Sequence, residues 1–389
     1  MLKVRTYNQI SNKGLDRFPR DSYEIASELA EPDAFMLRSQ KLHDIEIPEG
    51  LVAVARAGAG VNNIPVERYT EKGIVVFNTP GANANAVKEL VAAGLLLASR
   101  DIFLGMNYVQ SLTDISDAGE MSALLEKEKK RFAGCELYGK TLGVVGLGAI
   151  GAIVANMALD LGMEVVGYDP AISIEAAWRL SSDVKKMDSL QHLLSRSDYI
   201  SLHVPAIEAT RHMINAEALK GFKAGAKLLN FAREEIVDNG ALVQALDGGQ
   251  LAAYITDFPA PELLGRNDVL ALPHIGASTA EAEENCAVMA ANQLMAFLED
   301  GSIRNSVNFP PTHMARNGGY RLTFSNENVP KVLGNVLTIL ADSNNNVIDL
   351  VNKSRDNIAY NIIDVEDQPS DDIIAAITAV DGVVSVRVL

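Results

Sequence analysis

Six residues constrain this chain more than any others: Gly146-Leu147-Gly148-Ala149-Ile150-Gly151. They follow the apolar run Leu142–Val145 and open a helical stretch, Ile150–Leu161. In that setting the first glycine makes a tight turn, the second lets a pyrophosphate approach the backbone, and the third lets helix and strand pack closely. The first amides of the helix, around Ala149 and Ile150, are unpaired donors at the positive end of a dipole, which favours phosphate. The next strand, Glu164–Tyr168, ends at Asp169. A carboxylate about 20 residues after such a turn accepts hydrogen bonds from ribose hydroxyls and repels a 2′-phosphate. The spacing therefore predicts a dinucleotide fold that takes NAD rather than NADP.

The rest of the chain fits an α/β protein of several domains, since 389 residues exceed one hydrophobic core. Short apolar runs at Val4–Tyr7, Ala34–Leu37, Leu51–Ala55 and Ile74–Phe77 alternate with polar or helical stretches, which predicts a parallel, doubly wound, flavodoxin-like sheet. Beyond Gly139, runs at Tyr199–Leu202, Lys227–Asn230 and Ala253–Thr256 extend the Rossmann unit. The helix expected over Ala280–Glu299 is long enough to return to the first unit. We expect a discontinuous substrate-binding domain over 1–95 and 285–310, an NAD-binding domain over 96–284, and a linker over 311–319 marked by Pro311, Gly318 and Gly319. Residues 320–389 read strand, helix, two strands, helix, strand, the ferredoxin-like α+β order.

The formal net charge of −16 disfavours nucleic acid and anionic membranes as partners. Two cysteines, Cys135 and Cys286, lie far apart and belong to no ligand pattern, so no disulfide framework and no metal site is expected. The N-terminus lacks the apolar core of a signal peptide, and a reduced cytoplasmic setting is the expectation.

Oxidising a hydroxy acid requires a base for the hydroxyl proton, a group that tunes the base, and a cation for the carboxylate. Arg233, Glu262 and His274 each follow a strand or turn of the second unit and supply these three chemistries. A lone histidine is more often structural, and Arg233 beside Glu234 and Glu235 also reads as a solvated charge cluster.

The order of these segments resembles the D-isomer-specific 2-hydroxyacid dehydrogenases over nearly all of residues 1–310. The resemblance rests on Asn78-Thr79-Pro80 with Asn83, the Gly146 turn, His203-Val204-Pro205, the Arg233 segment, Asp257 with Glu262, and Pro273 to Thr279. It implies that Arg233 holds the substrate carboxylate, His274 accepts the proton and Glu262 hydrogen-bonds the imidazole. It also puts Thr210, Phe231, Ala232, Asp257 and Gly276, with His203, Val204, Pro205 and His274, at the cofactor. Two positions depart from the pattern: Glu234 stands where glycine is common, and Phe258-Pro259-Ala260-Pro261 replaces a Val-Phe pair.

Within the family, Arg38-Ser39 and Arg56 to Val61 resemble the members that oxidise D-3-phosphoglycerate, where two arginines offset a phosphate. The backbone at Ala59 and Gly60 and the Asn83 side chain are implied substrate contacts. Residues 320–389 resemble the regulatory ACT module of enzymes that begin phosphorylated L-serine biosynthesis, with Asn326, Asn328 and Asn346 as implied L-serine ligands. Lys331 and Asn344 stand where that module often has glycine. A homodimer or homotetramer is implied. Two other functions remain open on these residues: a dehydrogenase or hydroxypyruvate reductase for an unphosphorylated D-2-hydroxy acid, and an NAD(H)-sensing binding protein of the co-repressor kind.

Overall fold

The computed structural model describes residues 1–389, apart from the side chain of residue 175. Its contacts divide the chain into two compact units, Met1–Asn83 with Thr279–Leu389, and Ala84–Ser278.

The first unit begins with five short strands: β1 (Leu2–Thr6), β2 (Tyr23–Ala26), β3 (Ala34–Leu37), β4 (Ala53–Arg56) and β5 (Val75–Phe77). All pair in parallel in the order β2-β1-β3-β4-β5, the flavodoxin-like order expected. β3 and β5 are buried along their whole length, as strands covered on both faces must be. Sequence reading missed β2, whose Tyr23-Glu24-Ile25-Ala26 is too short and too polar to stand out.

The second unit opens with helix α1 (Ala84–Ser99). Its Val87, Val91 and Leu95, four residues apart, pack with Leu142, Val144, Leu229 and Ile255. That packing assigns the helix to the nucleotide unit, so the break falls before residue 84 and not at the expected 95. A seven-stranded parallel sheet follows: β6 (Thr141–Val145), β7 (Glu164–Tyr168), β8 (Lys185–Lys186), β9 (Tyr199–Leu202), β10 (Ala226–Asn230), β11 (Leu251–Thr256) and β12 (Val269–Ala271). The order is β12-β11-β10-β9-β6-β7-β8. From β6 the chain goes first to β7 on one side and later to β9 on the other. Such a switch point leaves a crevice at the carboxyl ends of β6 and β9. Helix α2 (Ala149–Asp160) starts there.

Helix α3 (Ala280–Asp300) returns to the first unit, burying Cys286, Ala287, Ala290, Ala291, Leu294 and Phe297 against the first sheet. Four further strands, β13 (Tyr320–Glu327), β14 (Val347–Arg355), β15 (Ile358–Val365) and β16 (Val383–Val388), form an antiparallel sheet ordered β14-β15-β13-β16. Helices α4 (Val332–Asp342) and α5 (Asp371–Thr378) cover one face, over Leu322, Phe324, Ile363 and Val365. This is the expected β-α-β-β-α-β fold, but it is not free-standing. Ile358, Tyr360 and Ile362 on its other face share the core of the first sheet with Phe297 and Phe309.

The shared core has a polar counterpart. A helix ends with four carbonyls that no amide of its own can reach. The carbonyls at the end of α3 are met from the C-terminal segment: Arg387 donates to Phe297 and Leu298, Arg316 to Glu299, Arg321 to Asp300, and the Tyr360 hydroxyl to Gly301. Cations at that end also suit the helix dipole. Arg321 is buried and forks onto Asp364 through two bonds of 2.7 Å, while its remaining donors hold the carbonyls of Met314 and Ala315. The expected linker is thereby tied down, and Ile303 and Thr312 exchange backbone bonds across it.

Breaking a buried pair by removing one partner costs about 3–5 kcal/mol, because the other charge stays buried and alone. Arg321→Met and Asp364→Asn should each lose stability on that scale in urea unfolding. The double variant Arg321→Met with Asp364→Leu should lose less than the sum of the two.

Candidate active site

The register of the second sheet brings Val145, Leu202 and Asn230 to one edge, with Thr256 and Ala271 continuing it. Every predicted cofactor and catalytic residue of this unit leaves from that edge. Gly146 adopts φ +88°, and a Cβ there would lie 2.6 Å from the His203 carbonyl oxygen. A Cβ on Gly151 would run into the carbonyl of Gly146. A Cβ on Gly148, by contrast, would meet nothing within 4 Å. Gly148 caps α2 with no side-chain bond, so the first amides of the helix stay unpaired beside that space. Asp169 accepts from the Leu147 amide at 2.8 Å and from Ala171 at 2.9 Å, which fixes its carboxylate at the end of β7.

His203 lies under the turn with Nε2 2.8 Å from the buried Ser201 hydroxyl. Desolvation pushes its imidazole down to about 4, so it is neutral at physiological pH. Val204 and Pro205 follow it. The Thr210 hydroxyl accepts from Ile207 and donates to the Pro205 carbonyl, holding this loop closed on itself. Phe231 is buried under α1, where its ring fills the space that a side chain on Gly94 would need.

Arg233 emerges from β10, Asp257 from β11 and His274 from β12, three neighbouring parallel strands about 4.8 Å apart. Buried Asn230 staples the first loop: its oxygen accepts from Ala232, and its amide donates to the Arg233 carbonyl and to the Tyr254 hydroxyl. The Arg233 guanidinium donates to the Ala232 carbonyl and pairs with no carboxylate among the described residues. Glu234 and Glu235 are exposed and do not neutralise it, which removes the charge-cluster reading. Asp257 is buried and accepts from Ile275 at 2.8 Å and Gly276 at 2.6 Å. These bonds hold the loop in which His274 takes a left-handed φ of +57°. The His274 ring stands edge-on to Phe258, 4.9 Å away. Glu262 sits exposed on the short turn Pro261–Leu263, and no hydrogen bond joins it to His274. The bond expected from the sequence is therefore not formed in this conformation.

The first unit carries a second group of polar residues. Arg38 follows β3, and its guanidinium meets Glu283 of α3 at 2.6 Å. Arg56 ends β4 and donates to the carbonyls of Arg38 and Gly60, joining two loops. The Ala59 carbonyl accepts from Asn78. With these carbonyls engaged, the amides of Ala59, Gly60 and Val61 donate to nothing among the described residues. The Ser39 amide is held by Asn8. The Asn83 side-chain oxygen and the Thr79 hydroxyl are buried without hydrogen-bond partners among the described residues. Cys286 lies beside Arg38, Arg56 and Glu283, and burial pushes its thiol up.

Residues 102–276 match the family description D-isomer specific 2-hydroxyacid dehydrogenase, NAD binding domain. A D-3-phosphoglycerate dehydrogenase of Methanocaldococcus jannaschii is 36% identical over 84% of this chain, which spans 61% of that protein's length. One of Haemophilus influenzae is 33% identical over 89% of this chain and 83% of its own. A crystal structure of NAD+-bound 3-phosphoglycerate dehydrogenase from Entamoeba histolytica superposes with a TM-score of 0.62 at 26% identity, covering 79% of this chain and 98% of that one. The chain belongs to the D-isomer-specific 2-hydroxyacid dehydrogenase family.

The family's cofactor fits the residues present: a cradle left open at Gly148, unpaired helix amides, and Asp169 at the next strand end. Sequence reading missed Asn230, Tyr254 and Ser201, which touch no ligand in any motif but hold the loops that do. For Asn230 the available signal was a polar residue ending an otherwise apolar strand; Ser201 and Tyr254 lie inside their strands and carried none. The three C-terminal asparagines are not brought together. Asn326 is buried and bonded to Asn361, and Asn328 donates to the Asp356 carbonyl. The backbone carbonyl of Asn346 accepts from the Glu366 amide at the other end of the sheet, about 24 Å away at 3.4 Å per residue. Lys331 and Asn344 both take positive φ, +79° and +50°, the conformation for which glycine is usual. No helix among the described residues is long and apolar enough to cross a membrane.

His203 sets a pH dependence. Its ordinary value of 6.5 falls to about 4 on folding, so the unfolded chain binds the proton first as pH drops. Stability present above pH 6.5 is then lost toward pH 4, at about 1.4 kcal/mol per pH unit. Urea unfolding at pH 7 and pH 5 should show this loss in the wild type, and less of it in His203→Gln.

Proposed function

We propose that the chain is an NAD-dependent dehydrogenase that oxidises D-3-phosphoglycerate to 3-phosphohydroxypyruvate. The observation that carries this reading is a guanidinium, Arg233, that meets no carboxylate among the described residues, and a loop-locked imidazole, His274, leaving one edge of the sheet that also bears the glycine turn. NAD held by the Gly146–Gly151 turn and Asp169 would supply the hydride acceptor for C2 of the substrate. His274 takes the C2 hydroxyl proton, and Arg233 holds the C1 carboxylate in a fork that lysine cannot reproduce. Glu262 reaches the imidazole when substrate is bound and favours its charged form. The unpaired amides at 59–61 and the orphaned Asn83 oxygen are substrate contacts, and Arg38 takes the phosphate while Arg56 holds the loops around it. The similarity to the D-3-phosphoglycerate dehydrogenases of Methanocaldococcus jannaschii and Haemophilus influenzae supports this substrate choice.

The reading includes a homo-oligomer and an amino-acid effector. The helix Ile102–Gln110 buries none of its residues and exposes Ile102, Phe103, Met106 and Val109, a face suited to a second copy. An effector touching both Asn328 and Asn346 needs two chains, because one chain holds them at opposite ends of a sheet. L-Serine inhibition that is weakened in Asn328→Ala, with turnover retained, is the expected result.

NAD reduction with D-3-phosphoglycerate tests the main claim. His274→Ala should lower kcat by about 10²–10⁴-fold, the range for losing a positioned base. Equal kcat/KM for D-3-phosphoglycerate and D-glycerate would reject the phosphate site in favour of an unphosphorylated substrate. Tight NADH binding without turnover would favour a sensor. Removing the Glu262 charge takes away what favours imidazolium, so the acidic limb of the kcat/KM profile should move to lower pH in Glu262→Gln. An unmoved limb would exclude Glu262 as the partner of His274.

A further inference from the structure

The Arg38 guanidinium already has an anion. Glu283 Oε1 lies 2.6 Å from its Nη1, with the two side chains 40% and 44% exposed. The backbone around Arg38 is fixed independently, since its carbonyl accepts from Arg56. Glu283 is fixed from below by the first turn of α3, where Thr279 caps the Ala282 amide and the Glu283 amide bonds the Thr279 carbonyl. A carboxylate there is also favoured by the helix dipole. Two separately anchored side chains thus meet directly in a solvent-exposed and therefore weak pair.

We propose that Glu283 is a resident counter-anion on Arg38 that an incoming phosphate must displace, and that it thereby lowers the affinity for a dianionic substrate group. The inference rests on the assignment of Arg38 as the phosphate site. A phosphate of nearly two charges and three acceptor oxygens outbids one carboxylate for the guanidinium. A neutral hydroxymethyl end offers Arg38 no charge and leaves the pair closed. Because Glu283 is well exposed, it can turn into water at little cost. It holds the arginine neutralised until the right group arrives, at the expense of some affinity for that group.

The test is Glu283→Gln in the full chain, with Glu284→Gln as control. Glu284 lies on the same turn but pairs with Lys13, so its variant changes the local charge equally without touching Arg38. Glu283→Gln should lower both KM for D-3-phosphoglycerate and the inhibition constant for inorganic phosphate about threefold, the scale of one exposed pair. Glu284→Gln should do neither. Unchanged constants in Glu283→Gln overturn the proposal, and raised constants show that Glu283 orients Arg38 instead of competing for it. An equal fall in both variants reduces the effect to net charge and overturns it too. If the wild type already fails to prefer D-3-phosphoglycerate over D-glycerate, the phosphate reading itself falls, a result obtained before any variant is made.

Discussion

A buried carboxylate that forms no salt bridge among the described residues must find its donors in the backbone, and Asp257 finds them in Ile275 and Gly276. That interaction decides where His274 stands. A non-glycine residue in the left-handed region costs of order 1 kcal/mol, so the conformation persists only where its surroundings require it. Two charge-assisted bonds to the amides just after His274 supply the requirement. Asn230 does the same for the loop that carries Arg233, and Thr210 for the loop after Pro205. The sheet sets the order in which these loops emerge, and the buried polar residues at the strand ends set their shape.

The first unit uses the same device with different residues. Arg56, Asn63 and Asn78 spend their donors on the carbonyls of Arg38, Gln40, Ala59 and Gly60. Turning those carbonyls inward leaves the amides of residues 59–61 with no partner among the described residues. An unpaired donor cluster is stable only where water or an anion can reach it. Arg56 therefore shapes a loop, whereas the guanidinium of Arg38 turns to Glu283.

Much of this was legible in the sequence, for reasons that differ by element. The Gly146 turn was legible because its glycines answer separate demands: the structure shows a steric one at Gly146 and at Gly151, and open space beside Gly148. The ferredoxin-like order was legible because β13 to β16 are bounded by turns and differ in period from the helices between them. The break at residue 84 was not, since an apolar helix such as α1 suits either neighbouring core and only its partners decide. Nor could spacing show that Glu262 lies unbonded to His274, because loop residues five and seventeen positions past Asp257 carry no period that fixes their side chains. The Arg38–Glu283 pair joins residues 245 positions apart, 283 less 38, and no local pattern links them.

Helix α3 binds these observations together within the first unit. Its first turn presents Glu283 to Arg38, its middle fills the core under β3 and β4, and its last carbonyls are met by Arg316, Arg321, Tyr360 and Arg387. The small sheet is thus the cap of the helix that carries Glu283, and its second face is part of the same core. Removing the sheet would uncover Phe297 and Phe309 and strip the helix end of its donors. Loss of activity on such a truncation would report a damaged core, not the loss of a regulatory ligand. Helix α3 and the shared core under β3 both connect this sheet to Arg38, so the sheet is built into the same unit as that side chain rather than appended to it.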